Sequence, residues 1–114
     1  MDLRSLRHFI AVVETGSLTR AAASVHIAQP ALTAQVKRLE AEFGVRLLER
    51  SSSGVVPTAA GRVLYLEAGR LLADAHSVRS RLTRKADQPE GRVTLAATVS
   101  LVYSVIGRVL VRAR

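Results

Sequence analysis

The sequence predicts a mainly α-helical fold carrying one small β-hairpin, and three observations lead to it. Apolar residues recur at spacings of three and four over residues 3–13, 32–39 and 64–82, which gathers each set on one side of a helix. Gly16, Gly44 and Pro57 punctuate the chain between these stretches, where helices stop or turn. Ser51-Ser52-Ser53-Gly54 lies between two short apolar runs, the pattern of a tight hairpin turn.

The first helix is expected over residues 3–15. Leu3, Leu6, Ile10 and Val13 follow one another at spacings of three, four and three, and Phe9 and Val12 widen the stripe before Gly16 ends it. Thr19 is a capping-type residue leading into a short second helix, in which Ala21, Ala22 and Val25 allow close approach of another helix. His26, Ile27 and Ala28 make a corner. Pro30 then falls in the first turn of a third helix, where its missing N–H costs little. In that helix Leu32, Val36 and Leu39 share one face, and Gln29, Thr33, Gln35, Lys37 and Arg38 remain on the others. Gly44 stops it after about Glu42. Two helices joined by a tight corner over residues 18–37 form a helix-turn-helix, with the first helix completing a three-helix core.

Val45 to Arg50 and Val55-Val56 flank the serine turn as the two arms of a wing. The serines of its tip donate hydrogen bonds but carry no charge, and they fit a mobile loop end as well as a contact surface. Thr58 is placed to cap a long helix reaching about Ala86. Leu64, Ala68, Leu71, Ala75, Val78 and Leu82 step along it by four, three, four, three and four, a heptad seam of nearly three repeats. An apolar stripe of that length needs cover. It is expected to pair with a partner helix, the other possible cover being this chain's own winged domain. Asp87-Gln88-Pro89-Glu90-Gly91 reads as a hinge. Beyond it, Val93 to Ala97 is strand-like, and Val102, Val105, Ile106, Val109 and Leu110 recur at helical spacing.

These motifs, in this order, resemble the LysR-type family of bacterial transcriptional regulators. The resemblance rests on Leu3, Leu6, Phe9 and Val12; Gly16-Ser17-Leu18-Thr19 with Ala21-Ala22; Gln29-Pro30-Ala31-Leu32-Thr33; and Leu39-Glu40. It continues through Phe43 to Arg50 and Thr58-Ala59-Ala60-Gly61. It implies a mainly α fold: a winged helix-turn-helix DNA-binding domain over 1–58, a linker and dimerisation helix over 59–87, and over 88–114 a hinge with the truncated first strand and helix of an α/β effector domain. It also implies double-stranded DNA as partner, with a homodimer, or a tetramer when full length, holding two reading heads on half-sites.

The third helix would then enter the major groove. Gln29 and Gln35 suit base edges as donors and acceptors, and Thr33 offers a hydroxyl or a methyl. Lys37, Arg38 and Arg50 suit phosphates, as does Arg20 near the start of the second helix, with Thr19 beside it. The reading surface includes Pro30 and Ala34. Two residues depart from the family pattern: Ala34 stands where many relatives carry arginine, and Ala28 where they usually place a serine cap, whose loss costs about 0.5–2 kcal/mol unless another group serves. Thr98 and Ser100 lie where effector-domain hydroxyls of the family hold a small anionic inducer. In this chain the simpler reading is preferred, since helix capping alone explains their type, and an inducer is expected only with the missing effector domain present.

Composition narrows the function classes. With 48% apolar and 23% charged residues the chain has the makings of a packed core. It lacks cysteine, and His8, His26 and His76 show no ligand spacing, so no metal or cofactor is expected. The net charge of +8 favours a polyanionic partner only weakly. Residues 1–60 hold seven Lys and Arg against five Asp and Glu, whereas 61–114 hold ten against four. No nucleophile constellation or phosphate-cradling loop marks an enzyme. Arg108 and interspersed hydroxyls argue against a membrane span in 93–111, and charges among the first residues argue against a secretion signal, so a cytoplasmic site is expected. The rival reading is a helical interaction module that uses the heptad seam without binding DNA.

Overall fold

In the computed structural model of the chain, residues 1–86 are described. They form α1 (Leu3–Thr15), α2 (Leu18–Ser24), α3 (Gln29–Phe43), β1 (Leu48–Ser51), β2 (Gly54–Pro57) and α4 (Ala59–Ala86). The expected hinge, the strand and helix after it, and Thr98 and Ser100 lie outside the described residues. Met1–Asp74 makes one compact unit, which runs past the boundary expected at Thr58 into the first half of α4. Of the second unit, only the last part of α4 is described.

Local chemistry sets the helix ends. Asp2 caps α1 through a reciprocal box: the Ser5 N–H donates to Asp2 Oδ1 at 2.7 Å and the Asp2 N–H donates to Ser5 Oγ at 3.1 Å. The Ser5 N–H holds the Asp2 carboxyl below its ordinary value, with the Ser5 hydroxyl adding to the effect. Gly16 closes α1 in the left-handed region, at φ 66°. Ser17 is the cap of α2, its Oγ accepting from the Arg20 N–H at 3.1 Å. Thr19 is therefore an exposed residue inside the first turn and not the cap. His26, at φ 61°, turns the corner in the same left-handed region without a glycine's freedom.

No side chain replaces the missing serine at Ala28. Pro30 brings no N–H to that end, and the Ala28 carbonyl accepts from both Ala31 and Leu32, at 3.0 and 3.2 Å. The helix thus starts with few orphan donors, and Gly44 ends it at φ 67°.

The core is Phe9 and Val12 of α1, Ala21 and Ala22 of α2, Leu32, Val36 and Leu39 of α3, and Leu47-Leu48 leading into the hairpin. The alanines bring α2 close to both neighbours, as their small size predicts. Leu6 is also fully buried, whereas Leu3, Ile10 and Val13 are half-buried, so α1 turns Phe9 and Val12 inward more squarely than the stripe read from Leu3.

The hairpin is antiparallel, with Leu48 opposite Pro57 and Ser51 opposite Gly54, which leaves Ser52-Ser53 as a two-residue tip. It is fixed from two sides. Glu40 Oε2 accepts from the Leu47 N–H at 2.8 Å, and the Val55 N–H donates to the Gly16 carbonyl at 3.0 Å. A Cβ at Gly54 would overlap that same carbonyl oxygen, so at that point the wing meets the end of α1 backbone to backbone.

Thr58 joins the wing to α4. Its Oγ accepts from the Gly61 N–H at 3.0 Å, its hydroxyl donates to the Arg46 carbonyl at 2.6 Å, and its N–H donates to the Leu47 carbonyl at 3.0 Å. At Gly61 a Cβ would overlap the Leu47 oxygen, so glycine is what lets α4 start against the core. Ala60, Leu64 and Tyr65 then pack on it. The Tyr65 hydroxyl donates to Glu14 Oε2 at 3.0 Å, and that bond and the Glu14 charge raise the Tyr65 pKa above its ordinary value.

Candidate nucleic-acid interface

With 100° of turn per residue, burying Leu32, Val36 and Leu39 directs Pro30, Ala34 and Ala41 outward from α3. Gln29, Thr33 and Lys37 take the flank beside the hairpin. Arg38 and Gln35 take the opposite flank, beside α1. Burial agrees: Gln29, Pro30, Ala34, Lys37 and Arg38 are exposed and Thr33 half-buried. The Gln29 amide donates from Nε2 to Thr33 Oγ at 3.0 Å, so the two form one exposed polar unit holding both donor and acceptor capacity.

Thr33 and Lys37 line a shallow hollow with Leu18, Arg46, Glu49 and Arg50, between α3 and the base of the wing. Arg50 therefore shares a surface with Lys37. Arg46, which the sequence reading passed over, joins them. Its neighbour Leu47 is buried, and the same short spacing in sequence carries Arg46 back to the surface. Thr19 and Arg20 are exposed on α2, directly after the hollow's Leu18.

Two expected residues stand elsewhere. Gln35 is half-buried, and its Oε1 accepts from Nδ1 of the buried His8 at 2.6 Å. The position lies only 60° around the helix from Leu32, which turns its Oε1 toward α1. Arg38 lines a second hollow with Asp2, Ser5 and Glu42, on the flank away from Lys37. Adjacent in sequence, the two cations stand about 100° apart, on either side of the outermost line of the helix.

The heptad seam also divides. Leu64 packs on the core of its own unit, Ala68 is fully buried and Leu71 half-buried. In the second unit, Ala75 is half-buried while Val78 and Leu82 are 37% and 58% exposed. Val63 and Leu66, at 63% and 65%, are exposed on a different side of α4. The sequence reading missed them because they break the heptad. Among the described residues no group of three His, Cys, Asp or Glu gathers to hold a metal, and no helix is long and apolar enough to cross a membrane.

Residues 3–62 match the family described as bacterial regulatory helix-turn-helix protein, lysR family. The chain belongs to the LysR family. Among curated LysR relatives, the nitrogen assimilation regulatory protein nac of Escherichia coli K12 is 37% identical over 113 residues, covering 99% of this chain and 37% of the relative. The HTH-type transcriptional regulator BenM of Acinetobacter baylyi is 38% identical over 110 residues, covering 96% and 36%. The chain thus spans little more than a third of these relatives. Among solved structures, the BenM DBD in complex with catB site 1 DNA matches at a TM-score of 0.75 with 43% identity, over 79% of this chain and all of that one. Full-length BenM matches at 0.68 with 44% identity, over 73% and 27%.

Proposed function

We propose that this LysR-family chain is the DNA-reading part of a sequence-specific transcriptional regulator acting in the bacterial cytoplasm. The observation that carries this is the exposed face of α3. Its Gln29–Thr33 polar unit, with Pro30 and Ala34 outermost, projects from a helix whose other face is locked into the core, in a chain similar to a domain solved on DNA. In this reading α3 enters the major groove, Gln29 and Thr33 meet base edges, and Pro30 and Ala34 meet thymine methyls. Lys37, Arg46 and Arg50 approach one stretch of phosphates, while Arg38, Arg20 and Thr19 meet the backbone elsewhere.

A second copy is proposed to cover the seam residues that α4 leaves open, Val78 and Leu82, so that two heads meet half-sites about one helical turn apart or a multiple of it. A small anionic inducer enters only in a protein carrying the whole effector domain.

The test is an anisotropy titration against a duplex enriched by this chain from a random pool, and against its scrambled counterpart. Gln29→Ala is expected to weaken the enriched duplex by about 1–3 kcal/mol with the scrambled one unchanged. Lys37→Ala is expected to weaken both and lower the salt slope by about one unit. Equal loss on both duplexes for Gln29→Ala refutes base reading. No salt-dependent binding at all refutes the function.

A further inference from the structure

The buried face of α3 consists of Leu32, Val36 and Leu39, and apolar contact is non-directional. Such a face anchors α3 in the core, and Glu40 ties its other flank to the hairpin through the Leu47 N–H at 2.8 Å, but apolar contact by itself supplies no hydrogen-bond direction on the α1 flank. On the α1 flank the packing is also incomplete, because a hollow lined by Asp2, Ser5, Arg38 and Glu42 opens beside Gln35. What crosses between the helices there is polar. His8 Nδ1 donates to Gln35 Oε1 at 2.6 Å, and His8 itself is 7% exposed. At the end of the same interface, the Met1 ammonium pairs with Glu42 at 3.0 Å.

Rotation matters at the reading face. Turning α3 by about 10° swings a side chain about 5–6 Å from the axis through about 1 Å. A hydrogen bond between N and O tolerates only about 0.5 Å. From this juxtaposition we infer that His8 and Gln35 are positioning residues for DNA recognition: a directional key that sets the azimuth of α3 so that Gln29 and Thr33 meet the correct base edge. The inference rests on the DNA-reading function proposed above. Gln35 thereby contributes to specificity without touching DNA.

Replacing both partners of a buried hydrogen bond with apolar groups of similar shape leaves stability nearly unchanged, whereas removing one strands the other. The double variant His8→Phe/Gln35→Leu therefore separates positioning from folding. In the full chain it is expected to melt near the parent temperature and to bind the scrambled duplex within twofold of the parent. Its discrimination between the enriched and scrambled duplexes is expected to fall about tenfold. Gln35→Glu keeps an acceptor opposite His8 Nδ1 and is expected to retain the parent ratio, which provides a second readout if the double variant does not fold. An unchanged ratio in a folded double variant, or a ratio lost equally in Gln35→Glu, overturns the key. A parent chain that enriches no sequence from the random pool overturns the DNA-reading function instead, and the key with it.

Discussion

Adding one methyl to each of two glycines on the same helix is expected to move stability in opposite directions. At Gly61 a Cβ would overlap the Leu47 carbonyl oxygen and stand 3.0 Å from its carbon and 3.2 Å from Pro57 Cβ. That carbonyl is held by the Thr58 N–H at 3.0 Å, so it cannot yield without breaking the bond that joins wing to α4. Overpacking against backbone costs about 1–3 kcal/mol and the strained hydrogen bond about 1 kcal/mol. Alanine's better helix propensity returns about 1 kcal/mol. Gly61→Ala should therefore destabilise by about 1–3 kcal/mol. At Gly69 nothing lies within 4 Å of the same methyl, and Gly69→Ala should stabilise by about 0.5–1 kcal/mol. Thermal melts at one protein concentration read the pair, at about 4–8 °C per kcal/mol for a unit of this size. A Gly61→Ala variant that melts at or above the parent temperature would show that α4 does not start where its first turn meets Leu47, and would sink the reasoning.

Three further outcomes follow from features of the fold. Because the folded-state pKa of Asp2 is lowered, its contribution is fully present above its ordinary value of 3.8 and is lost as pH falls through the lower folded value. Asp2→Asn, which keeps a capping oxygen, should flatten the fall in melting temperature between about pH 5 and pH 2; an equally steep fall rejects the assignment. His26→Gly relieves a left-handed residue at a cost of about 1–2 kcal/mol and gives back about 0.5–1 kcal/mol in unfolded-chain entropy. It should raise stability by roughly 0.5–1 kcal/mol by the same principles, and a lower melting temperature contradicts this. Val78→Ser together with Leu82→Ser should shift sedimentation toward the monomer, and an unchanged sedimentation coefficient rules those residues out of the subunit contact.

Element positions were legible because the sequence writes them locally. The limits of α1 follow from its stripe and Gly16, those of α3 from Pro30 and Gly44, and α4 from Thr58 onward. Most of the exposed face of α3 was legible for the same reason: once Leu32, Val36 and Leu39 are known to point inward, the opposite side is fixed. What could not be read depends on neighbours distant in sequence. Gln35 sits at the margin of the buried arc, and only the approach of His8, 27 residues away, decides its partner. The choice of Ser17 over Thr19 as cap turns on backbone angles that either residue type tolerates. The seam of α4 reads as one stripe, yet its first half is taken by the head, because Gly61 removes the side chain that would hold the helix off. Arg46 was passed over because nothing near it in sequence shows that the hairpin base faces α3.

The ion pair at the front of the chain bears on how the protein is handled. The cation paired with Glu42 is the backbone amine of the first residue, not a side chain. Any tag fused ahead of it converts that amine into a neutral peptide link beside the helix that carries the reading surface.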